Sequence, residues 1–337
     1  MSITIYDVAK KAGVSTATVS KIINNTGSIS ERTKKKVQAV MKELQYQPSL
    51  IATALNGKCT YTIGLLIPDL ANPIFAEYAR CIEDRAQELG FNIIMCSTDT
   101  DIEREAKYVS LLKQKCVDGF IIAAKFENVK LLKDLIKNDK IPVALIAAQD
   151  VSELPVDSVT VDDYLGGYQV TEYLLSLGHK RIGFIAEEAR SSKERIRGYK
   201  QAIIEAGVEY DESLILVCKP KPTMGYAEVA AKKLLELPGR PTAIFGANDS
   251  LAIGAIWAAR KHGLTIPKDL SVIGFDNTVM SQIMEPPLST VQQPIQEIGR
   301  QVVDLLTQKI ERKRKLTQRV VLLPELVIRQ STMKISK

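Results

Sequence analysis

From Tyr61 onward, nine short apolar runs recur between segments of helical period, and this alternation restricts the chain more than any other feature of it. The runs are TIGLLIP, NIIMCST, GFIIAA, PVALIA, SVTV, RIGFIAE, LILV, AIFGAND and LSVIGFD. Strands that stay apolar throughout, instead of alternating with polar residues, are covered by helices on both faces, as in a parallel sheet of βαβ units. Nine strands would make a large single sheet, so the pattern predicts two Rossmann-like lobes divided near Asp162. The segment STVQQP after Pro287 and a helix from Ile295 to Ile310 are expected to return to the first lobe. Ligands of open α/β sheets sit beyond the carboxyl ends of the strands, where this chain places Asp69, Asp99, Asp162, Asn248, Asp249 and Asp276. The same residue types cap helices at strand-to-helix junctions, and a cap is the expected role of Asp162 and Asp249.

The first sixty residues have a different grammar. Thr4-Ile5-Tyr6-Asp7 has the capping-box spacing, which predicts a helix through Ala12 with Gly13 ending it. Ser15 can cap a second helix over 16–24, with Val19, Ile22 and Ile23 on one face. Ser30 can cap a third over 31–45, whose Val37, Val40, Met41 and Leu44 repeat at helical spacing. This part of the chain holds nine Lys or Arg residues against Asp7, Glu31 and Glu43, whereas the rest is neutral, since the whole chain carries +6. A basic module on a neutral body suggests a polyanionic partner for the module alone. In a helix-turn-helix the second helix enters the major groove by its N-terminal residues, here Thr16, Ala17, Ser20 and Lys21. Thr16 and Ala17 offer methyl and hydroxyl groups to a base edge, and Lys21 a donor to guanine or phosphate. A protein-interaction bundle with a solvated charged face is the alternative reading of the same three helices.

Other function classes find little support. No apolar run reaches 18 residues and the N-terminal MSITIYDVAKK is charged, so the expected location is cytoplasmic, with no membrane partner. Cys59, Cys81, Cys96, Cys116 and Cys218 are widely spaced and form no CxxC pair, which predicts buried free thiols and neither disulfides nor a metal site. His179 and His262 each stand beside a glycine where a helix should end, and helix capping is their expected role. Motifs for a nucleophile elbow, a zinc protease, a P-loop or a dinucleotide fold are absent, so neither catalytic residues nor a cofactor are expected.

The run IYDVAKKAGVSTATVSKIINN closely resembles the DNA-binding signature of the lactose-repressor/galactose-repressor (LacI/GalR) family, and YQPSLIATALNGK resembles its hinge. NPIF, SLGHKRIGFI, RIRGY, GANDSLAIGA, SVIGFDN and LVIRQST resemble segments of the family's sensor, so the likeness spans nearly the whole chain. It implies an α/β protein with an all-α helix-turn-helix headpiece and two Rossmann-like lobes of periplasmic-binding-protein type. The implied division is a helix-turn-helix domain over 1–46 and a hinge helix and linker over 47–60. The sensor's N-terminal lobe would be 61–161 with 289–322, and its C-terminal lobe 162–288 with 323–332. The implied partners are double-stranded operator DNA, a small-molecule effector, sugar-like in chemistry, and a second copy of the chain in a homodimer. A protein corepressor is left open.

By the same resemblance Thr16, Ala17 and Lys21 read bases, with Ile5, Tyr6, Ser15, Thr18, Ser20 and Asn24 in the same interface. Ala52 to Asn56 would form a hinge helix with Leu55 as a minor-groove wedge, which pays for unstacking by bending the duplex onto more protein. Thr53 stands where many relatives have Arg, which removes a candidate phosphate contact. Phe75, Arg195, Asn248 and Asp276 are the implied effector contacts: an apolar face for a ring, a planar donor fork, an amide and a two-oxygen acceptor. Ala147-Ala148-Gln149 stands where many relatives have an Asp.

Overall fold

A computed structural model describes residues 3–23, 26–46, 59–124, 126–146, 154–218 and 224–335. Asn24, the hinge residues including Leu55, and Gln149 lie outside them. The chain divides into two units, Met1–Thr60 and Tyr61–Lys337.

In the first unit the helix Ile5–Ala12 opens where the Asp7 carboxylate accepts hydrogen bonds from the Thr4 backbone N–H and hydroxyl, at 2.8 and 2.7 Å. Those bonds, the hydroxyl's foremost, hold the Asp7 carboxyl below its ordinary range. Gly13 at φ 64° ends the helix in the left-handed region, where its missing Cβ costs nothing. The Ser15 hydroxyl then accepts from Thr18 N at 3.1 Å to start the helix Thr16–Ile23, and Ser30 accepts from Thr33 N at 3.3 Å to start Glu31–Glu43. Val8, Ala9, Ala12, Val19, Ile22 and Val37 are buried together, a small core shared by all three helices.

In the second unit each of the nine apolar runs contributes a strand: β1 (Thr62–Ile67), β2 (Asn92–Ser97), β3 (Gly119–Ala123), β4 (Val143–Ile146), β5 (Asp157–Val161), β6 (Ile182–Glu187), β7 (Ile215–Cys218), β8 (Ala243–Gly246) and β9 (Ser271–Ile273). Three shorter strands follow, β10 (Thr290–Gln292), β11 (Arg319–Leu322) and β12 (Glu325–Val327). One sheet runs β11-β5-β4-β3-β1-β2 and a second β7-β6-β8-β9, all parallel, while β10 and β12 form an antiparallel pair.

The register shows why the runs are apolar throughout. Within β1, Ile63, Leu65 and Ile67 join a core with Tyr78, Ile82, Ile298 and Val302 from the helices Pro73–Glu88 and Ile295–Ile310. Leu66 points the other way, into a core with Phe120, Leu112 and Leu135 under the helices Ile102–Gln114 and Val129–Lys137. Successive side chains of a strand face opposite layers, and here both layers are helix-covered. The 295–310 helix packs on the 73–88 helix and against β3, β4 and β5. The chain therefore leaves the first sheet after β5, builds the second, returns through β10 to that helix and to β11, and departs again to β12.

The second sheet's core is aromatic, with the Phe184 ring 4.5 Å from that of Phe245 and 5.4 Å from that of Tyr199. His262 caps the helix Asp249–Lys261, its Nδ1 lying 2.9 Å from Ala258 O. His179 does not act as a cap: its ring meets Thr242 Oγ1 at 2.9 Å and Met333 O at 3.0 Å, so it fastens the C-terminal segment to the sheet. Cys96 and Cys218 are buried, whereas Cys59, Cys81 and Cys116 are half-buried. Among the described residues no group of His, Cys, Asp or Glu is placed to hold a metal ion, and no helix is long and apolar enough to cross a membrane.

Candidate functional site

The second helix presents its start outward. Ser15, Ala17 and Lys21 are exposed and Thr16, Thr18 and Ser20 half-buried, because Val19 and Ile22 take the opposite face into the core. Tyr6, 72% exposed, stands out from the first helix beside the half-buried Ile5. Lys21 runs past Gly27, where a Cβ would come within 3.4 Å of its stem. The side chains available to a ligand on this face are thus short hydroxyls, a methyl, a phenol and one ammonium, a set suited to groove edges and phosphates.

In the second unit, two glycines decide where Arg195 can go. The helices Asp163–Ser176 and Arg190–Glu205 cross so closely that a Cβ on Gly167 would lie 2.2 Å from Arg195 O, and one on Gly198 2.1 Å from Tyr164 O. That approach brings the Arg195 Nε and an Nη to 2.8 and 2.7 Å from Asp163 Oδ1. The other Nη donates to Ala247 O, and the guanidinium carbon sits 3.5 Å from the centre of the Phe275 ring. Buried, stacked and doubly bonded, the side chain has one orientation.

Asp276 follows directly. It lies just past β9 with φ 116°, its N–H bonded to Val291 O at 2.8 Å, and its carboxylate is buried close to Arg195. Oδ1 accepts from Gln293 Nε2 at 2.6 Å, and Gln293 Oε1 accepts from the Tyr78 hydroxyl at 2.7 Å. Among the described residues Oδ2 has no hydrogen-bond partner. Burial pushes the Asp276 carboxyl well above the usual carboxylate range against the pull of Arg195, and burial likewise raises Glu187. Asn248 caps the 249–261 helix, its Oδ1 accepting from Leu251 N at 2.8 Å, and its side chain also bonds to Glu187.

Of the four expected effector residues, Arg195, Asp276 and Asn248 thus meet at the carboxyl ends of β6, β8 and β9. Phe75 reaches them through Tyr78, its ring 6.5 Å away. Asp163, Glu187, Gln293 and Tyr78 belong to the same polar cluster and were not anticipated. Only Glu187, at the end of the RIGFIAE run, carried a local signal. Asp162 is a helix cap, accepting from Leu165 N at 2.9 Å. Asp249 is not: its Oδ2 accepts from Thr278 N and Oγ1 at 2.7 and 2.9 Å, and its Oδ1 from Thr290 Oγ1 at 2.6 Å. Burial pushes its carboxyl up to about 6.

A basic helix-turn-helix unit followed by two parallel sheets, with polar residues gathered at the strand ends, defines a ligand-responsive DNA-binding regulator. Residues 4–49 match the family model of bacterial regulatory proteins of the lacI family, and residues 60–330 match that of periplasmic binding proteins and the sugar-binding domain of the LacI family. The chain belongs to the LacI family of transcription regulators, with a DNA-binding headpiece and an effector-binding domain. It is 49% identical over 336 residues to the HTH-type transcriptional regulator DegA of Bacillus subtilis, covering 98% of both chains. It is 37% identical to catabolite control protein A of Priestia megaterium, over 98% of this chain and 100% of that one. Among solved structures, the lac repressor dimer bound to operator and the anti-inducer ONPF superposes with a TM-score of 0.85 at 28% identity, covering 99% of this chain and 100% of that one. A ribose-bound LacI-family regulator from Enterococcus faecium gives 0.74 at 31% identity, over 82% and 100% of the two chains.

Proposed function

We propose that the chain is a cytoplasmic, homodimeric repressor that binds a near-palindromic operator and releases or grips it in response to a small polyhydroxylated effector, without catalysing a reaction. The observation that carries this reading is the Asp276 carboxylate, buried beside Arg195 with one oxygen tied to Gln293. Its other oxygen is an acceptor held in a low-dielectric setting, suited to a ligand hydroxyl. Arg195 and Asn248 add positioned donors and Phe75 an apolar face. The family's sugar-binding domain model and the ribose-bound neighbour support a sugar or sugar derivative.

In this proposal Thr16, Ala17 and Lys21 read base edges, while Ile5, Tyr6, Ser15, Thr18, Ser20 and Asn24 fix the register on the duplex, and Leu55 wedges the minor groove. The dimer is supported by the operator-bound lac repressor neighbour. The effector lobes are 61–161 with 289–322 and 162–288 with 323–332, a division supported by the membership of the two sheets. A thermal-shift screen over sugars and sugar phosphates tests the reading, since a ligand bound only by the folded state raises the melting temperature by mass action. A stabilising sugar that shifts operator affinity supports it; a stabilising sugar with no effect on operator binding removes the regulatory coupling from it.

A further inference from the structure

We infer that a basic pocket at the strand-entry edge of the first sheet binds a small phosphate ester. The pocket encloses about 250 Å³ and is walled by Lys140, Lys309, Arg314 and Lys315, with Ile141 and Pro155 among the apolar residues between them. It lies where β4 and β5 begin and the 295–310 helix ends, the edge opposite the one where β5 runs into Asp162. β1 starts on that same edge at Thr62, so the pocket is at the end of the sheet where the chain arrives from residue 60.

Two of the four cations, Lys309 and Arg314, are arranged around one buried anion. Asp157 is fully buried; its Oδ2 takes the Lys309 ammonium and an Arg314 Nη, both at 2.7 Å, and its Oδ1 takes Gln318 N–H at 2.7 Å. A single carboxylate thus fixes two cations and neutralises only one charge. Among the described residues Lys140 and Lys315 have no ion-pair partner, and none of those that line the cavity is acidic. The Arg314 Nε is buried without an acceptor among the described residues. Arg314 is held by Asp157 and by the carbonyl oxygens of Leu305 and Leu316, so it contributes fixed positive charge to the wall, while the exposed Lys140 and Lys315 ammonium groups are the donors that a phosphoryl group takes. A concavity a little smaller than most ligand sites, mainly polar but with apolar side chains between its cations, suits a phosphoryl group carrying a few carbons and not a duplex backbone. The site shares no residue with the Arg195–Asp276 cluster, so the proposal stands apart from the effector reading.

The probe is phenyl phosphate, titrated calorimetrically into the full-length protein at constant ionic strength. We expect saturable binding at one site per chain. Lys140→Gln/Lys315→Gln, which removes the two unpaired ammonium groups from exposed positions, should weaken it at least about tenfold while melting like the parent without ligand. Lys315→Gln alone should give an intermediate loss. Lys34→Gln/Lys35→Gln, in the basic N-terminal unit, and Asp276→Asn should leave the affinity for phenyl phosphate unchanged. The inference is overturned by absence of binding, by an equal loss in the Lys34/Lys35 variant, or by a loss in Asp276→Asn. It is also overturned if a random-sequence duplex displaces phenyl phosphate from the parent and fails to bind the Lys140/Lys315 variant, which would make DNA the occupant.

Discussion

Arg195 and Asp163 form a buried ion pair in which a single carboxylate oxygen takes two N–H groups of one guanidinium, at 2.8 and 2.7 Å. Their side chains are 7% and 11% exposed, so neither charge is solvated well if the other leaves. Arg195→Met should therefore cost about 3–5 kcal/mol, the usual penalty for stranding one partner of a buried pair. Asp163→Asn added to it should recover part of that loss. Urea midpoints of the two variants check this, and equal stability in the single and double variants would mean that Asp163 is not stranded.

Asp276 is the place to separate sensing from folding. With the sugar found by the screen, Asp276→Asn should weaken effector binding by about 10- to 150-fold, equivalent to roughly 1.5–3 kcal/mol for a hydrogen bond to a charged group. Operator affinity without effector should hold. Coupling is reciprocal, so operator must change the parent's effector affinity by the same factor that effector changes operator affinity. Paired titrations that give two different factors would exclude a simple two-ligand linkage.

The N-terminal unit should carry the whole of DNA binding. Deleting residues 1–60 should abolish it, and in the intact chain log K should fall against log salt by about 0.9 for each neutralised phosphate. Lys21→Ala should lose about 1–3 kcal/mol at one base position if it reads an edge. A uniform loss on operator and random duplex alike would make Lys21 a phosphate contact only.

Gly198→Ala places a methyl 2.1 Å from the Tyr164 carbonyl oxygen, a backbone atom that cannot rotate away. The two helices must part, at about 1–3 kcal/mol or more for overpacking, and the Arg195–Asp163 pair must lengthen with them. A lowered melting temperature together with weakened effector binding is the expected signature; a variant melting like the parent would show that the helices separate freely.

Two buried titratable groups pull stability in opposite directions with pH. Burial holds His179 below its ordinary pKa, so the unfolded chain takes up that proton first. Its contribution is complete above about 6.5 and is lost as pH falls through the folded value. Asp249 is raised to about 6 from 3.8, so its contribution is complete below 3.8 and lost as pH rises to about 6. Above about pH 7.5 neither group adds a slope; as pH falls through about 6.5 His179 should pull the melting temperature down, while Asp249, which takes up its proton in the folded state first, pulls it up. His179→Gln should remove the downward pull, and an unchanged slope would assign it to other groups.

The two-sheet architecture was readable because β1, β3 and β4 are apolar on both faces, which few alternatives explain. β10, β11 and β12 were not, since each is three or four residues long and the Arg319–Leu322 strand alternates between exposed and half-buried positions. Asn248 and Asp276 could be picked from the polar ends of strands. Gln293 and Tyr78 could not, because their bond joins residues 215 positions apart. Asp249 was misjudged because a carboxylate at a strand-to-helix junction looks like a cap in sequence, whereas its partners, Thr278 and Thr290, come from other elements.

The repeated passage of the chain between the two sheets bears on how the molecule is made. On the ribosome β5 emerges with β1 to β4, yet the 295–310 helix that covers this sheet, and β11 that pairs with β5, are synthesised only after the whole of the second sheet. Ile63, Leu65 and Ile67 must wait in water for Ile298 and Val302 while that second sheet takes shape. Exposed apolar surface on a nascent α/β layer is an aggregation hazard and a binding site for chaperones. The first lobe to leave the tunnel is thus the last to be finished, and translation stalled between β5 and residue 295 should leave a sticky, protease-sensitive fragment.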